Sequence, residues 1–230
     1  MIKAVGFDVD GTLYPNYQMF LCSLPSFLSA PRLMYYFGQV RKDMRQIDYD
    51  EPLHKKQAQL LATKLGISEE RARDRMERHL YHRWEHSFRC ISPFRQVRET
   101  LLALKRNGIL LGALSDFPIK NKLKFLKLDD LFDFSFSSED TGYLKPNPIP
   151  FQQMIREFGI APEEILYVGN SYKYDVIGAA AAGIRTAWLK PLFANDGSSS
   201  NTQADIIFSS FNELRIRILD EFVQSSSAQK

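Results

Sequence analysis

Cys22 and Cys90 are the only cysteines in the chain, and they form no CxxC pattern. Neither a zinc site nor a disulfide framework is indicated, and a reducing cytoplasm is the expected compartment. Long apolar runs are missing too. No stretch approaches the roughly eighteen residues that a membrane-spanning helix requires, so no membrane is expected as a partner. The start of the chain lacks the pattern of a secretory leader, because Met1-Ile2-Lys3 runs straight into an apolar strand. Excess charge is also absent: 30 Lys and Arg face 27 Asp and Glu, and a net +3 is too small to argue for a nucleic-acid polymer. No internal repeat is visible. What remains is an ordinary globular composition, 44% hydrophobic and 25% charged, in 230 residues. That length holds one large domain, or a core with a smaller module.

The opening segment carries the densest information. Ile2, Ala4, Val5 and Phe7 make the mostly apolar run of a buried parallel strand, and Asp8 and Asp10 follow at i and i+2. In extended backbone that spacing points both carboxylates to one side, about 7 Å apart along the chain. Gly11 ends the strand. In open α/β sheets, ligands bind beyond the carboxyl ends of the strands, where two such acids would stand. Like charges at one site repel unless a cation is present. Read alone, the segment is equally a surface turn.

The remainder of the chain sets the context. From about residue 94, helix-like and strand-like segments alternate. A helical stretch from Phe94 to Arg106 stops at Asn107-Gly108, and an apolar run from Ile109 to Leu114 ends at Ser115-Asp116. A basic helical stretch from Ile119 to Leu128 precedes a strand at Phe132–Phe136. A helix from Phe151 to Phe158 leads to a strand at Ile165–Val168, an Ala-rich helix from Tyr172 to Ala182, and strands at Arg185–Leu189 and Asp205–Phe208. This rhythm predicts an α/β fold, a Rossmann-like parallel sheet with helices on both faces. Between residues 14 and 93 the rhythm fails. Helical windows at Tyr17–Ser29, Pro31–Arg45, Leu53–Leu65 and Ser68–Ser87, with Ser68 as an N-cap, predict an inserted all-helical module. Residues 1–13 and 94–230 then form the core. Ala194–Ala204 reads as a flexible loop and Ser225–Lys230 as a frayed tail.

Four strand ends therefore carry chemistry-bearing residues: Asp8 with Asp10, then Ser115, then Lys145, then Asn170 with Asp175. Pro146 disfavours helix at Lys145 and holds it extended. Asn170 and Asp175 straddle a helix start, where oxygen ligands can complete a hard-cation site. Each residue has an ordinary structural role as well: an N-cap for Ser115, a solvated charge for Lys145, a turn for Asn170, and a helix-dipole acid for Asp175. Their joint occurrence, in this order, is what points to a site.

The set resembles the haloacid dehalogenase superfamily over nearly the whole chain. Its first motif stands as Asp8-Val9-Asp10-Gly11-Thr12, its second as Ser115, and its third as Lys145-Pro146. The fourth is Gly169-Asn170-Ser171-Tyr172-Lys173-Tyr174-Asp175, followed by Gly178-Ala179 and Ala182-Gly183. The helical insert looks like the family's C1 cap, and the thirty residues between Ser115 and Lys145 leave no room for a larger one. Asn170 departs from the pattern, since the phosphatases carry Asp there. Losing that charge should weaken Mg²⁺ binding or shift weight to Asp175.

The resemblance implies a Mg²⁺-dependent phosphomonoester hydrolase acting on a small phosphorylated metabolite, such as a nucleotide or sugar phosphate. Asp8 is then the nucleophile that forms an aspartyl-phosphate, and Asp10 a general acid and base, a task suited to a raised pKa. Thr12, Ser115, Asp116 and Lys145 would contact substrate, and Asp8, the Asp10 carbonyl, Asn170 and Asp175 would hold the metal. Dehalogenase members of the family carry an Asn-containing fourth motif but lack the second Asp of motif one, so 2-haloacid dehalogenation is the alternative. Binding without turnover is another. A monomer or homodimer is expected. The predicted cap carries thirteen Lys and Arg against nine acids. They help steer an anionic substrate or simply solvate helix faces. Its aromatics Tyr35, Tyr36, Phe37, Trp84 and Phe88 stack a base or sugar or fill the module's own core.

Overall fold

A computed structural model describes residues 1–82, 86–190 and 203–227, the side chains of 120 and 221–227 excepted. Six parallel strands form one sheet: β1 (Ala4–Asp8), β2 (Leu110–Ser115), β3 (Phe134–Ser137), β4 (Ile165–Gly169), β5 (Arg185–Leu189) and β6 (Ile206–Phe208). Their spatial order is β3-β2-β1-β4-β5-β6. The order reverses beside β1, and that switch point is where an open α/β sheet leaves a crevice.

Every residue of β1 is buried, which explains why it reads as a continuous apolar run rather than an alternating one. Val5 and Phe7 face one layer with Leu111, Ala113, Leu166 and Val168. That layer packs on helices α5 (Val97–Arg106) and α9 (Phe211–Ser227) through Leu101, Leu104, Phe211 and Leu214. Ala4 faces the opposite layer, where Phe151, Met154 and Phe158 of α7 (Pro148–Phe158) and Ala179 of α8 (Ile177–Ala181) cover Tyr167 and Leu114. A short helix, α6 (Lys120–Phe125), follows β2. The parallel sheet with helices on both faces is as expected.

Between β1 and α5 the described residues include four helices: α1 (Asn16–Ser29), α2 (Pro31–Met44), α3 (Leu53–Leu65) and α4 (Glu69–Met76). The Ser68 hydroxyl accepts the Arg71 N–H at 3.3 Å, the expected cap. The fourth helix ends earlier than predicted, passing into a π-helical turn at Glu77–His82. Leu33, Phe37, Val40, Leu61, Ala72, Met76 and Leu80 form a second buried cluster separate from those on the sheet.

Three other local expectations shift. Lys145 lies in a turn after β3 and a 3₁₀ turn (Ser138–Thr141), not at a strand end. The Ala-rich helix is a π-helical turn (Tyr172–Val176) followed by α8. Of the predicted tail, the backbone of 225–227 continues α9, while 228–230 lie outside the described residues. Of the predicted loop Ala194–Ala204, residues 194–202 lie outside them too, as does Trp84.

Candidate active site

Strand register gathers the candidates. Asp8 pairs with Leu114, so Ser115 stands one residue further along the neighbouring strand. Phe7 pairs with Val168, which brings Gly169 and Asn170 level with Asp8 on the other side. Gly11, at φ 85°, turns the chain away immediately after the acids. A Cβ at Gly11 would come within 2.3 Å of Asn170 Nδ2 and 2.5 Å of the Asn16 amide, so only glycine permits this approach.

Asp8 is the hub. Its Oδ1 accepts from Lys145 Nζ at 2.7 Å, and its Oδ2 accepts from the Thr12 hydroxyl at 2.7 Å. Lys145 Nζ also donates to Asp175 Oδ1 at 2.7 Å and to the Tyr167 hydroxyl at 3.2 Å. Asp175 Oδ2 accepts the Ser171 N–H at 2.9 Å, so both its oxygens are engaged. Asp8, Lys145 and Asp175 are each no more than 4% exposed. Burial pushes the Asp8 carboxyl up to about 7; Lys145 opposes the shift, and Asp175 and Asp10 add to it. The Lys145 ammonium loses hydration, yet Asp175 and Asp8 hold its pKa well above the ordinary lysine value.

Asp10 belongs to a second cluster. Its carboxylate accepts from Tyr14 Oη at 2.5 Å, from the Ser115 hydroxyl at 2.7 Å, and from Lys122 Nζ at 2.6 and 2.8 Å. Burial alone would raise its pKa. The Lys122 charge, with donors from Lys122, Tyr14 and Ser115, overrides that and holds it below the ordinary value. This corrects the expectation of a raised pKa at Asp10: in this structure the raised carboxyl is Asp8. Ser115 is fully buried, donates to Asp10, and accepts from Lys122 Nζ at 3.0 Å and from the Phe117 N–H at 3.1 Å.

Asp116 sits on the seam between the insert and the sheet. Its Oδ2 pairs with Arg45 Nη2 at 2.5 Å, while its Oδ1 accepts from the Ser138 hydroxyl at 2.7 Å and the Lys145 N–H at 3.2 Å. Burial opposes ionisation there, but Lys145, Arg45 and Arg41 hold the carboxyl far below the usual range. Arg45 Nε donates to the Lys145 carbonyl at 2.8 Å, and its guanidinium lies 4.4 Å from the Tyr174 ring centre. Arg45 caps the end of α2, and Arg41, on α2, is 3% exposed. It pairs with Glu139, donates to the Asp116 carbonyl at 2.5 Å, and lies 3.9 Å from the Phe117 ring centre. Two of the thirteen basic residues in the insert therefore join it to the loops after β2 and β3, and neither simply solvates a helix face.

The sequence reading missed Tyr14, Lys122, Arg41, Arg45 and Tyr167. Tyr14 carries a faint signal, standing four residues after Asp10. Lys122 is indistinguishable in sequence from its neighbours Lys120 and Lys124. Among the predicted aromatics, Phe37 fills the insert's cluster, Tyr35 is 62% exposed, and Phe88 packs edge-on against Tyr14 beneath the sheet.

The donor chemistry can be tested against a hard cation. Asn170 Oδ1 lies 3.4 Å from Thr12 Oγ, which places it beside Asp8 Oδ2. Oxygen from a carboxylate, an amide and a backbone carbonyl suits a small divalent ion. The set is poor in charge, however: among the described residues no three His, Cys, Asp or Glu converge as a metal group.

Known proteins resemble this chain over most of its length. A family model described as haloacid dehalogenase-like hydrolase matches residues 2–183. The glyceraldehyde 3-phosphate phosphatase of Methanopyrus kandleri is 31% identical over 205 residues, covering 83% of this chain and 84% of that protein. The pyrophosphatase PpaX of Bacillus cereus is 28% identical, over 81% of this chain and 82% of that protein. Among solved structures, the 2-haloacid dehalogenase of Pseudomonas syringae pv. Tomato superposes with a TM-score of 0.69 at 22% identity, covering 96% of this chain and all of that one. At that identity the likeness concerns the fold.

Proposed function

The chain belongs to the haloacid dehalogenase-like hydrolases and is a hydrolase, and from that premise we propose that it cleaves phosphomonoesters through an aspartyl-phosphate on Asp8. One observation carries the reading. Two carboxylates two residues apart sit in separate environments, Asp8 against Lys145 and Asp10 against Lys122 with two hydroxyls. Displacement at phosphorus needs such a pair, one to attack and one to handle the proton. The phosphatase relatives support the same chemistry.

In the first step, once the phosphoryl group has drawn Lys122 and Ser115 from Asp10, Asp10 takes a proton from solvent. An Asp8 oxygen then bonds to phosphorus, the bond to the ester oxygen breaks, and Asp10 passes that proton to the leaving alkoxide. In the second step water attacks the acyl phosphate, Asp10 takes its proton, and phosphate leaves with Asp8 restored as carboxylate. Lys145 and Ser115 steady phosphoryl oxygens. An incoming phosphoryl group competes with Asp10 for Lys122 and Ser115. Withdrawing those partners raises the proton affinity of Asp10 at the moment it must act as an acid. Asp8, Asn170, Asp175 and the Asp10 carbonyl would hold Mg²⁺, which when bound neutralises charge between the attacking carboxylate and the phosphoryl oxygens. Asp116, with both oxygens engaged by the seam, holds the loop that carries Ser115.

Asp8→Asn tests the covalent mechanism. Turnover of phosphate esters with Mg²⁺ should fall by about a thousandfold or more with the fold intact, and BeF₃⁻ should form its adduct on Asp8 of the wild type. Residual activity within tenfold of wild type would overturn the mechanism.

A further inference from the structure

A cavity of about 400 Å³ opens between the insert and the loop after β2. Its inner end is Lys122, the same ammonium that touches Asp10 at 2.6 Å and Ser115 at 3.0 Å. Met76, Leu80 and Phe88 line it and are each at most 2% exposed, and Phe117 and Pro118 close one side. The Phe88 and Phe117 ring centres both lie 5.2 Å from Lys122 Nζ. Polar side chains collect toward solvent instead: His54, Glu77 and His82 line the cavity with side chains 58%, 61% and 67% exposed, and Arg73 and Tyr81 line it as well. The cavity is therefore apolar beside the reacting groups and polar toward solvent.

We propose that this cavity receives the alcohol portion of the substrate, and that the substrate is the monophosphate of a bulky, largely apolar, ring-bearing alcohol. This inference rests on the phosphomonoesterase reading above. Asp10 protonates the leaving oxygen, so that oxygen stands on the side of Asp10 where Lys122 and the cavity begin. The carbon skeleton attached to it must then enter the space walled by Phe88, Phe117 and Leu80. A space of this size accommodates a small-molecule ligand. A three-carbon polyol would leave most of it to water, and a second phosphate would lie against Phe117 and Pro118 unless it reached Arg73 and His54 toward solvent. An aromatic ring fits the same walls, with the partly exposed Phe117 ring available to pack on and a cation nearby. The chain thus diverges from relatives named for triose phosphate and pyrophosphate in what it takes, though not in the bond it breaks.

The test compares benzyl phosphate with ethyl phosphate, two primary alkyl esters, on the full-length chain with Mg²⁺, with glyceraldehyde 3-phosphate and pyrophosphate as further arms. The expected result is a kcat/KM for benzyl phosphate at least tenfold above that for each of the others, expressed mainly in KM. Benzylphosphonate should also inhibit at least tenfold more tightly than ethylphosphonate. In Leu80→Phe, which narrows the cavity, the benzyl-to-ethyl ratio should fall by tenfold or more. Equal handling of the benzyl and ethyl compounds in both assays, or a preference for either relative's substrate, overturns the inference. If ethyl phosphate is still cleaved in an Asp8-dependent way, the phosphatase reading survives that outcome. If no ester is cleaved and neither phosphonate binds, the phosphatase reading falls and the inference with it. Should Leu80→Phe fail to fold, the wild-type ratios and the phosphonate inhibition decide the matter.

Discussion

Asp8 and Asp10 are close neighbours in sequence, yet burial drives the first carboxyl up to about 7 while Lys122 holds the second down. The Asp8 shift has a definite sign in stability. Between an ordinary value of 3.8 and about 7, the folded protein keeps a proton that the unfolded chain has released. Stability attributable to Asp8 therefore falls as pH rises through that window. In metal-free protein, the melting temperature of wild type minus that of Asp8→Asn should decrease from about pH 4 to about pH 7; a gap that stays constant would contradict the assignment. Asn170 provides the second residue-scale test. Asn170→Asp adds a charge beside Asp8, so the metal-free protein should melt slightly lower, while the rise on adding Mg²⁺ should be larger than in wild type. An unchanged Mg²⁺ titration of melting temperature would place residue 170 outside the coordination sphere.

At the scale of elements, α2 does the joining. Arg41 and Glu139 form a buried pair, with side chains 4% and 2% exposed, between the insert and the turn after β3. The Tyr81 hydroxyl donates to the same Glu139 oxygen at 3.2 Å, and Glu139 Oε2 is buried without a hydrogen bond among the described residues. Arg41→Met should cost about 3–5 kcal/mol in chemical denaturation, because it strands the Glu139 charge. Adding Glu139→Gln should recover much of that loss. Equal destabilisation by the single and double variants would show that packing on Phe117, and not charge, sets the cost. None of this was legible in sequence. Arg41 and, just past its end, Arg45 belong to the polar end of a helix whose apolar positions Leu33, Phe37 and Val40 do show the period, and which charges turn inward depends on loops a hundred residues away. The strands were far more legible. β1, β2 and β4 are short apolar runs closed by Asp, Ser or Gly, and strand ends lie within two residues of expectation at Asp8, Ser115, Gly169 and Leu189. The π-helical turns at Glu77–His82 and Tyr172–Val176 were not, since their residues suit an ordinary helix equally well.

For the whole molecule, the order of motifs along the chain was enough to foresee a parallel sheet with its acids at the switch point, because strand ends in such folds converge on one crevice. The second cluster around Asp10 was hidden, since Lys122 reaches it from a helix whose lysines look alike.

The enclosure of Asp8, Ser115 and Lys145 beneath α2 has a kinetic consequence. Were the α2 seam the gate to groups this buried, the Arg41–Glu139 pair that would have to separate is shielded from dissolved ions. With Arg41 and Arg45 turned inward, eleven Lys and Arg face nine acids in the rest of the insert, and capture of an anion by that slight positive excess, by contrast, occurs in the open solvent. Ionic strength should therefore divide the two: from about 0.01 to about 0.15 M, the Debye length shrinks from about 30 to about 8 Å and kcat/KM should fall severalfold. Over the same range, kcat, if limited by parting of the seam to release phosphate, should stay level. A kcat that follows salt as steeply as kcat/KM would mean the gate lies elsewhere.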